Sequence, residues 1–550
     1  MKSFLVAGLA VFALRASSPT SPNFARDIAP IIYSKCSACH YSGGPGPFPL
    51  TSYEEIRKHA QQIADVTRRR FMPPWLPEHG YGEFADELRL TEAQIQCIAS
   101  WVLAGAPEGP PEAEPVAPSY MERWRLGPPD LIVKAAQPFQ VPVDGTDVFW
   151  NFILKPPVTR TRYVRAIDIR PSNPKIVHHA NMIIDRLGSE ESRERTPGSG
   201  FPGMDVAVLG SPMDIDGHPL FWKPGTIPFS EPPGMAWRLD PGNDLILNVH
   251  IQPSGKAVLE QPIVGLYFTD EAPTRFPYLL ELEHDGALDI RAGDRRFVVS
   301  DSMRLPIDTE VIAVYPHAHY LGKLLDAWAT LPTGTRQWLI RIPDWDQSWQ
   351  AVYRYRSPLH LAAGTVVTMR YEYDNSAANP RNPSHPPKRV RGGNNATDEM
   401  GHLWLEVLPE HGRDARRTYA EAWARHQLEK YPDSYDADVT LGAVALSRLE
   451  TQQAIAPLER AVALRPDDAI AHNLYGSALE ASGRTAEAVQ QFRDAISMNP
   501  DFANARFNLA HALMRSGKKQ AALDQLAKIL ASHPEDQAAG EYLEELKEIR

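Results

Sequence analysis

The chain has 550 residues, with 57 Lys and Arg against 68 Asp and Glu, a net charge of −11 and 50 prolines. The negative charge disfavours nucleic acid as a partner, because nucleic-acid binding needs a basic face. The sequence contains no glycine-rich phosphate loop and no nucleophilic-serine motif. The residue composition and the spacing of apolar residues change along the chain, which predicts a multidomain protein with the prolines in loops and linkers.

The N-terminus has the pattern of a secretory signal peptide. Lys2 precedes an apolar run from Phe4 to Leu14, and small residues follow. The run is shorter than a membrane-spanning helix requires. We predict that residues 1–17 are a signal peptide, with an uncleaved anchor as the alternative, and that the protein is exported to the periplasm or the extracellular space.

Cys36-Ser37-Ala38-Cys39-His40 has the spacing of a c-type haem attachment motif. Cys36 and Cys39 can each add to a vinyl group of haem, and His40 then becomes an axial ligand of the iron. A zinc half-site and a dithiol redox pair are the alternatives, but neither needs the histidine. Covalent haem attachment in bacteria occurs outside the cytoplasm, which agrees with the signal peptide.

Residues 22–106 resemble a small α-helical cytochrome c domain. We expect Asp27–Tyr33 to form the helix that leads into the haem motif. Residues 91–104 have apolar positions at helical spacing and predict a closing helix, with Thr91 as its N-cap.

Met72 is the predicted second axial ligand of the haem iron. The segment 70–75 resembles the distal-ligand loop of small cytochromes, and a thioether ligand raises the reduction potential. His59 and His79 are the rival ligands. Cys97 lies on the closing helix and is expected to be a small buried apolar residue.

The pattern then changes from helices to strands. Residues 107–120 are rich in proline and glutamate and predict a semi-rigid linker. Residues 128–275 and 276–412 show short apolar runs broken by Pro, Gly, Asn and Asp, which is typical of β-sandwiches.

Histidines accompany three of these apolar runs. His317 and His319 follow the run Glu310–Val314, and because side chains alternate along a strand, both can bind one metal ion. Two partly exposed histidines beside a turn are the alternative. His178 and His179 are adjacent, so they can share a metal only if their strand is twisted or bulged. His250 ends the third run.

Met400 follows the polar stretch Asn394–Glu399, where a methionine that serves only packing would be unusual. Imidazole suits copper, zinc, iron or nickel, whereas the soft thioether sulfur favours Cu(I). Two histidines with one methionine therefore suit a copper ion that cycles through Cu(I).

The order His-His, Val-His, His-x-His-x-x-Gly-Lys and Asp-Glu-Met resembles the type II copper, ascorbate-dependent monooxygenases, which include peptidylglycine α-hydroxylating and dopamine β-monooxygenase. The resemblance implies two jelly-roll-like β-sandwich domains, each with one copper ion, facing one another across a solvent cleft. It implies that the electron-transfer copper is held by His178, His179 and His250. The catalytic copper, which binds O₂ and hydroxylates a C–H bond, would be held by His317, His319 and Met400.

The chain departs from the peptide-amidating branch at three positions. Tyr315 stands where that branch has an arginine for the substrate carboxylate, and His402 and Trp404 replace an asparagine and a tyrosine. A carboxylate clamp is therefore not evident, and we do not expect a peptidylglycine substrate. The segment also has no cysteine, so its stability must come from packing alone.

Residues 413–550 have a repeat of 34 residues. Pro432, Pro466, Pro500 and Pro534 share its spacing, as do small residues such as Ala454, Ala488 and Ala522. This pattern resembles tetratricopeptide repeats, whose stacked helix pairs form an α-helical solenoid. Such an array binds a partner protein in its groove or serves as a packing module that stiffens or dimerises the enzyme.

We therefore expect an exported copper monooxygenase with two copper ions and one covalently attached haem c. It would use O₂, a small-molecule substrate and an external electron donor, ascorbate-like or a redox protein, with its own haem relaying electrons. One alternative is a non-oxygenating haem and copper scaffold for electron transfer or redox sensing, which docks partners through the repeats. The other is copper storage or delivery.

Overall fold

The computed structural model describes residues 21–118, 124–145, 147–186, 188, 190–204, 218, 220–395, 397–409, 415–534 and 536–548. The predicted signal peptide lies outside these residues. The described chain forms an N-terminal unit, residues 21–75 and 87–118, and a large unit, residues 76–86 and 124–548. Across the described residues, no helix combines the length and apolar character needed to cross a membrane.

The N-terminal unit is helical. Its helices are α1 Ala29–Lys35, which continues a π-helical turn Phe24–Ile28, α2 Tyr53–Lys58, α3 Ala60–Arg68 and α4 Glu92–Leu103. The predicted closing helix is confirmed as α4. Thr91 caps it, because its hydroxyl accepts from the Gln94 amide while the Gln94 side chain accepts from the Thr91 amide. Ile28, Ile98 and Trp101 form part of a buried apolar core.

The first half of the predicted linker packs on this unit. The carbonyl oxygen of Pro107 accepts from the Phe24 amide at 2.9 Å and from Trp101 Nε1 at 3.0 Å. The Tyr33 hydroxyl donates to Glu114 at 2.7 Å. Residues 107–114 are thus held to the helices, whereas a spacer alone was expected; residues 119 and 120 lie outside the described range.

The middle of the chain is β-rich, and all of its named strand pairs are antiparallel. We call residues 124–275 the first β-domain. Its strands are β1 Leu131–Lys134, β2 Phe139–Val141, β3 Val148–Leu154, β4 Arg162–Arg170, β5 Val177–Asp185, β6 Phe201–Pro202, β7 Phe221–Trp222, β8 Trp237–Leu239, β9 Asp244–Ile251, β10 Val258–Glu260 and β11 Ile263–Thr269. The sheets β1-β11-β4-β8 and β6-β3-β9-β5-β7 share one apolar core, which includes Val164 and Leu266 from one sheet and Leu247 from the other.

We call residues 276–409 the second β-domain. Its strands are β12 Tyr278–Glu283, β13 Asp289–Ile290, β14 Phe297–Arg304, β15 Thr309–Ala318, β16 Gly322–Thr330, β17 Arg336–Ile342, β18 Tyr353–Leu361, β19 Val366–Tyr373, β20 Val390–Arg391 and β21 Gly401–Pro409. The main sheets are β12-β21-β15-β18 and β14-β19-β16-β17. Buried tyrosines join them, since the Tyr371 and Tyr373 hydroxyls donate to the carbonyl oxygens of His402 and Met400, each at 2.8 Å.

Residues 76–86 belong to the large unit, although the sequence pattern predicts one continuous domain over residues 22–106. The Glu78 amide donates to the Arg341 carbonyl oxygen, and the Ala85 amide donates to that of Arg354. Phe84 is buried and packs on Tyr355. Backbone hydrogen bonds and the packing of Phe84 therefore help to attach the segment to β17 and β18. A contact between residues so far apart in sequence cannot be predicted from local sequence pattern.

The C-terminal region consists of helices at the predicted period: α5 Arg416–Lys430, α6 Tyr435–Ser447, α7 Thr451–Leu464, α8 Ala469–Ala481, α9 Thr485–Met498, α10 Ala503–Arg515, α11 Lys519–Ser532 and α12 Gln537–Glu548. Each of the four prolines lies just after a helix end. Ala454, Ala488 and Ala522 are fully buried where paired helices meet. The predicted helical repeats are confirmed.

Candidate metal centres

His178, His179 and His250, the first histidine cluster, meet at a bulge in β5. Val177 pairs with Ile251 and His179 pairs with His250, so His178 is the extra residue. The ring of His250 lies 5.0 Å from that of His178 and 4.9 Å from that of His179. The irregularity that the adjacent histidines require is therefore present.

Asp147 joins this cluster. Its carboxylate accepts from His250 Nε2 at 2.9 Å. Asp147, His178 and His250 each offer one atom that could bind a metal ion, and these atoms all lie within 4.8 Å of one another. His178 donates through its own Nε2 to Gln252 at 3.1 Å. Sequence reasoning missed Asp147, because only the pairing of β3 with β9 brings the residue before β3 beside His250.

His317, His319 and Met400 form the second histidine cluster, at the paired ends of β15 and β21. The rings of His317 and His319 lie 5.2 Å apart and nearly perpendicular. The register pairs His317 with His402 and Ala318 with Gly401, which brings position 400 opposite position 319. The structure thus brings the two predicted histidines together and sets the backbone of Met400 beside them.

Glu399 is a buried residue that fixes the backbone where β15 and β21 meet. Its fully buried carboxylate accepts the backbone amides of His319, Met400 and Leu321, the last two at 3.0 and 2.9 Å. His319 Nδ1 donates to the Asp398 carbonyl oxygen at 3.0 Å. Burial raises the pKa of the Glu399 carboxyl to about 8, against the effect of the three amides.

His402 is held as a half-buried cation, with its ring 6.4 Å from that of His317. Its Nε2 donates to Asp285 at 2.7 Å, and its Nδ1 forms an ion pair with Glu281 at 2.8 Å. Burial opposes the charge, but these carboxylates outweigh it and raise the pKa of His402 to about 10. Trp404 and Tyr315 stack on the same sheet face at 5.2 Å.

Gln350 connects the two histidine clusters. Its amide nitrogen donates to His179 Nδ1 at 2.9 Å, and its oxygen accepts from His317 Nδ1 at 2.7 Å. His179 and His317 are both 6 % exposed and Gln350 is 2 % exposed. The expectation of a solvent cleft between the clusters is therefore wrong at this point, because one buried side chain spans the two domains.

Burial keeps four of these imidazoles, those of His178, His179, His317 and His319, in the neutral form. Burial lowers the pKa of His317 to about 3, and burial with neighbouring histidines takes the pKa of His179 well below its ordinary value. The same causes lower the pKa of His178, and burial lowers that of His319. A neutral imidazole is the form that binds a metal ion.

The Cys36–His40 motif fits haem attachment in two respects. None of the three cysteines is in a disulfide. His40 Nδ1 donates to the Phe48 carbonyl oxygen at 3.0 Å, which leaves the lone pair on Nε2, as an axial iron ligand requires. Burial raises the pKa of the Cys36 thiol to about 12. A Cβ on Gly46 would lie 2.8 Å from His40 Nδ1, so this glycine lets the chain pass close to the ring.

The three candidates for the second axial position lie in different places. Met72 is half-buried in the N-terminal unit, after α3. His59 lies in the same unit, with its ring stacked on Phe48 at 3.7 Å. His79 is exposed and belongs to the large unit. The structure thus leaves Met72 and His59 in one unit with the motif.

Comparison with known proteins concerns the repeats. Two tetratricopeptide-repeat family models match residues 439–501 and 479–544, so this region consists of tetratricopeptide repeats. No curated protein matches the chain.

Three solved structures that resemble this chain each cover between 22 and 24 % of it. A MamA RS-1 double mutant is 22 % identical over 22 % of this chain and 68 % of its own, with a TM-score of 0.21. YrrB, a TPR protein described as having an unusual peptide-binding site, is 25 % identical over 23 % and 65 %, with a TM-score of 0.22. TTC0263, a thermophilic TPR protein of Thermus thermophilus, is 18 % identical over 24 % and 72 %, also at 0.22. The repeat assignment rests on the family models.

Proposed function

We propose that this protein is an exported copper-dependent monooxygenase that hydroxylates a C–H bond of a small substrate with O₂ and carries a covalently attached haem c. The observation that carries the proposal is the pair of histidine clusters. Residues far apart in sequence converge into two groups of imidazoles, one on each β-domain. The second group has a methionine beside it, as the copper chemistry of the resemblance requires.

Hydrogen bonds on the histidines define which nitrogens would face a metal ion. His317 and His319 both donate through Nδ1, which leaves Nε2 as the ligand atom of each. His178 and His250 both donate through Nε2, which leaves Nδ1. His250 Nδ1 is buried and has no hydrogen-bond partner among the described residues, so a bound ion would satisfy it. Copper at these atoms would supply the one-electron chemistry that O₂ activation needs.

The surroundings of the second cluster indicate the substrate class. Tyr315, Trp404 and Phe221 supply aromatic surface near His317. The cation of His402 is already neutralised by Asp285 and Glu281. A substrate on this face would therefore meet apolar surface rather than a free positive charge, which favours a neutral, apolar molecule over a carboxylate.

The haem domain and the repeats complete the proposal. Cys36, Cys39 and His40 would hold the haem, with Met72 as the second axial ligand, and the haem would pass electrons from an external donor. The repeats would bind a protein partner, as tetratricopeptide repeats commonly do.

Metal and haem stoichiometry on the haem-matured, exported full-length protein tests this proposal. Two copper ions and one haem per chain are expected, with a Cu–S contribution in the X-ray absorption spectrum of the reduced protein. Met400→Ala should abolish that contribution, while Met498→Ala, which changes a partly exposed methionine of the repeats, should leave it. Haem without tightly bound copper would refute the monooxygenase.

A non-oxygenating electron-transfer scaffold is the second candidate, and one observation favours it. Gln350 fills the space where the resemblance implies an open cleft, which suits electron passage better than substrate access. Copper-loaded protein supplied with ascorbate, ¹⁸O₂ and ethylbenzene, a neutral probe with benzylic C–H bonds, separates the two. ¹⁸O-labelled 1-phenylethanol supports the monooxygenase, whereas fast haem oxidation without labelled product supports the scaffold.

A further inference from the structure

We propose that Asp147 is the residue that positions His250 for metal binding in the first histidine cluster. This inference deepens the proposed function, because it concerns the first of its two metal sites. It assigns a role to a carboxylate that the resemblance to copper monooxygenases does not include.

The two nitrogens of His250 have opposite surroundings. Nε2 donates to Asp147 at 2.9 Å, whereas Nδ1 has no hydrogen-bond partner among the described residues. The side chain of His250 is 2 % exposed, so water does not satisfy Nδ1 from bulk solvent. A proton held on Nε2 by the carboxylate leaves the lone pair on Nδ1, which is the arrangement of a metal-binding histidine with a carboxylate behind it.

Direct ligation of a metal by Asp147 fits less well. The potential metal-ligand atoms of Asp147, His178 and His250 lie within 4.8 Å of one another, so a metal ion could in principle replace the proton between Asp147 and His250. That ion would bind His250 through Nε2 and leave a proton on the buried Nδ1 without an acceptor. An unsatisfied buried donor destabilises the folded protein, which favours ligation through Nδ1.

Asp147 is itself held in place from the second β-domain. The Tyr320 hydroxyl donates to the same oxygen, Oδ2, at 3.2 Å. Tyr320 directly follows His319 in the chain, so one carboxylate oxygen contacts a histidine of the first cluster and the neighbour of a histidine of the second. The carboxylate is only 11 % exposed, which limits its freedom to turn towards solvent.

The test measures metal binding, not hydroxylation. Full-length haem-matured protein carrying His319→Ala, which disables the second cluster, is titrated with Zn²⁺ alone and examined by electron paramagnetic resonance after loading with Cu²⁺. In this background Asp147→Ala should weaken Zn²⁺ affinity by about 10–100-fold and change the copper hyperfine coupling. Asp147→Asn should recover most of the affinity, because its amide oxygen can accept the same Nε2 proton. Asp144→Ala, an exposed carboxylate three residues earlier, is the matched control.

The outcomes separate this inference from the proposed function. An Asp147→Ala variant that binds Zn²⁺ as well as the Asp144→Ala control would overturn the positioning role and leave the metal site standing. Equal losses in Asp147→Asn and Asp147→Ala would also overturn it, because a direct carboxylate ligand would then be required. Absence of Zn²⁺ and Cu²⁺ binding in the control would remove the first metal site and the proposed function with it.

Discussion

His179 and His317 lie on different β-domains, yet both hydrogen-bond to the side chain of Gln350. His179 Nδ1 accepts from the amide nitrogen, and His317 Nδ1 donates to the amide oxygen. The two contacts have opposite consequences for metal binding. Gln350 covers the Nδ1 lone pair of His179, while on His317 it fixes the proton on Nδ1 and so leaves Nε2 for a metal ion.

Replacing Gln350 by Leu should therefore change the two metal affinities in opposite directions. Zn²⁺ affinity at the first cluster should rise, because His179 Nδ1 no longer has a competing donor. Affinity at the second cluster should fall, because the orientation of His317 is no longer fixed. One hydrogen bond contributes about 0.5–1.5 kcal/mol, so each change should be about 2–10-fold.

Calorimetric Zn²⁺ titrations measure each cluster separately, in a His319→Ala background for the first and a His250→Ala background for the second. Tyr315→Phe is the matched control. It removes a hydroxyl that donates to the same oxygen of Gln350 at 3.1 Å but keeps both contacts with the histidines. A loss of affinity at both clusters in Gln350→Leu would show that Gln350 acts through general packing.

Glu399→Ala should weaken the second cluster and the fold together. The substitution leaves the backbone amides of His319, Leu321 and Met400 without their acceptor in a buried site. Each unsatisfied amide costs about 1–3 kcal/mol. Calorimetry should show a lower unfolding midpoint, and Zn²⁺ titration a weaker second cluster with the first unchanged. Glu399→Gln keeps one acceptor oxygen, so an effect as large as that of Ala would contradict this explanation.

Local pattern predicted much of the fold because its signals repeat. Prolines at a period of 34 residues and buried alanines at Ala454, Ala488 and Ala522 predicted the helical repeats, and Thr91 predicted the start of a helix. In each case the residues that determine the structure lie close in sequence to the element they determine, or they recur at a fixed spacing.

The candidate site was only partly predictable, because it depends on pairing between distant strands. His317 and His319 follow from alternation along one strand. Asp147 and Gln350 carry no motif. Asp147 reaches His250 only through the pairing of β3 with β9, and Gln350 reaches His179 only through the packing of the two β-domains. The sequence also did not predict that Gln350 would occupy the position of the expected cleft, because contacts between domains produce no periodic pattern in a sequence.

Lys430→Met should destabilise the attachment of the repeats to the second β-domain. Lys430 Nζ lies 3.0 Å from Glu283 and 2.8 Å from Asp301, and all three side chains are largely buried. Breaking a buried ion pair by removing one partner costs about 3–5 kcal/mol, because the remaining charges are left uncompensated. Lys528→Met, at an exposed position on α11, is the control and should have little effect.

The effect of Lys430→Met should depend on pH. Burial alone would raise the pKa values of Asp301 and Glu283, but His426 and Lys430 lower that of Asp301, and Lys430 with a backbone amide lowers that of Glu283. A carboxyl whose pKa is lower in the folded state stabilises the fold above its unfolded pKa, about 4, and this contribution disappears as the pH falls through the folded value. The difference in calorimetric midpoint between wild type and variant should therefore be largest near neutral pH and shrink below about pH 4. A difference that grows with acidity would contradict the assignment.

Leu449→Gly should stabilise the repeats. Leu449 has φ of +59°, and it stands 34 residues before Gly483 and 68 before Gly517, which have φ of +86° and +73° at the equivalent turns. A side chain in the left-handed region costs about 1–2 kcal/mol, partly offset by about 0.5–1 kcal/mol from the extra backbone freedom of unfolded glycine. The free energy of unfolding should therefore rise by about 0.5–1 kcal/mol, which a urea titration of the full chain followed by circular dichroism can measure.

Leu449→Ala separates backbone strain from side-chain exposure at this turn. Leu449 is 87 % exposed, so truncation to alanine removes exposed apolar surface while keeping the Cβ atom that causes the strain. If strain is the cause, alanine should leave stability nearly unchanged, and Gly483→Ala should lower it at the equivalent turn of the next repeat. Equal stabilisation by alanine and glycine at position 449 would mean that the exposed leucine side chain, not its backbone conformation, limits the stability of this turn.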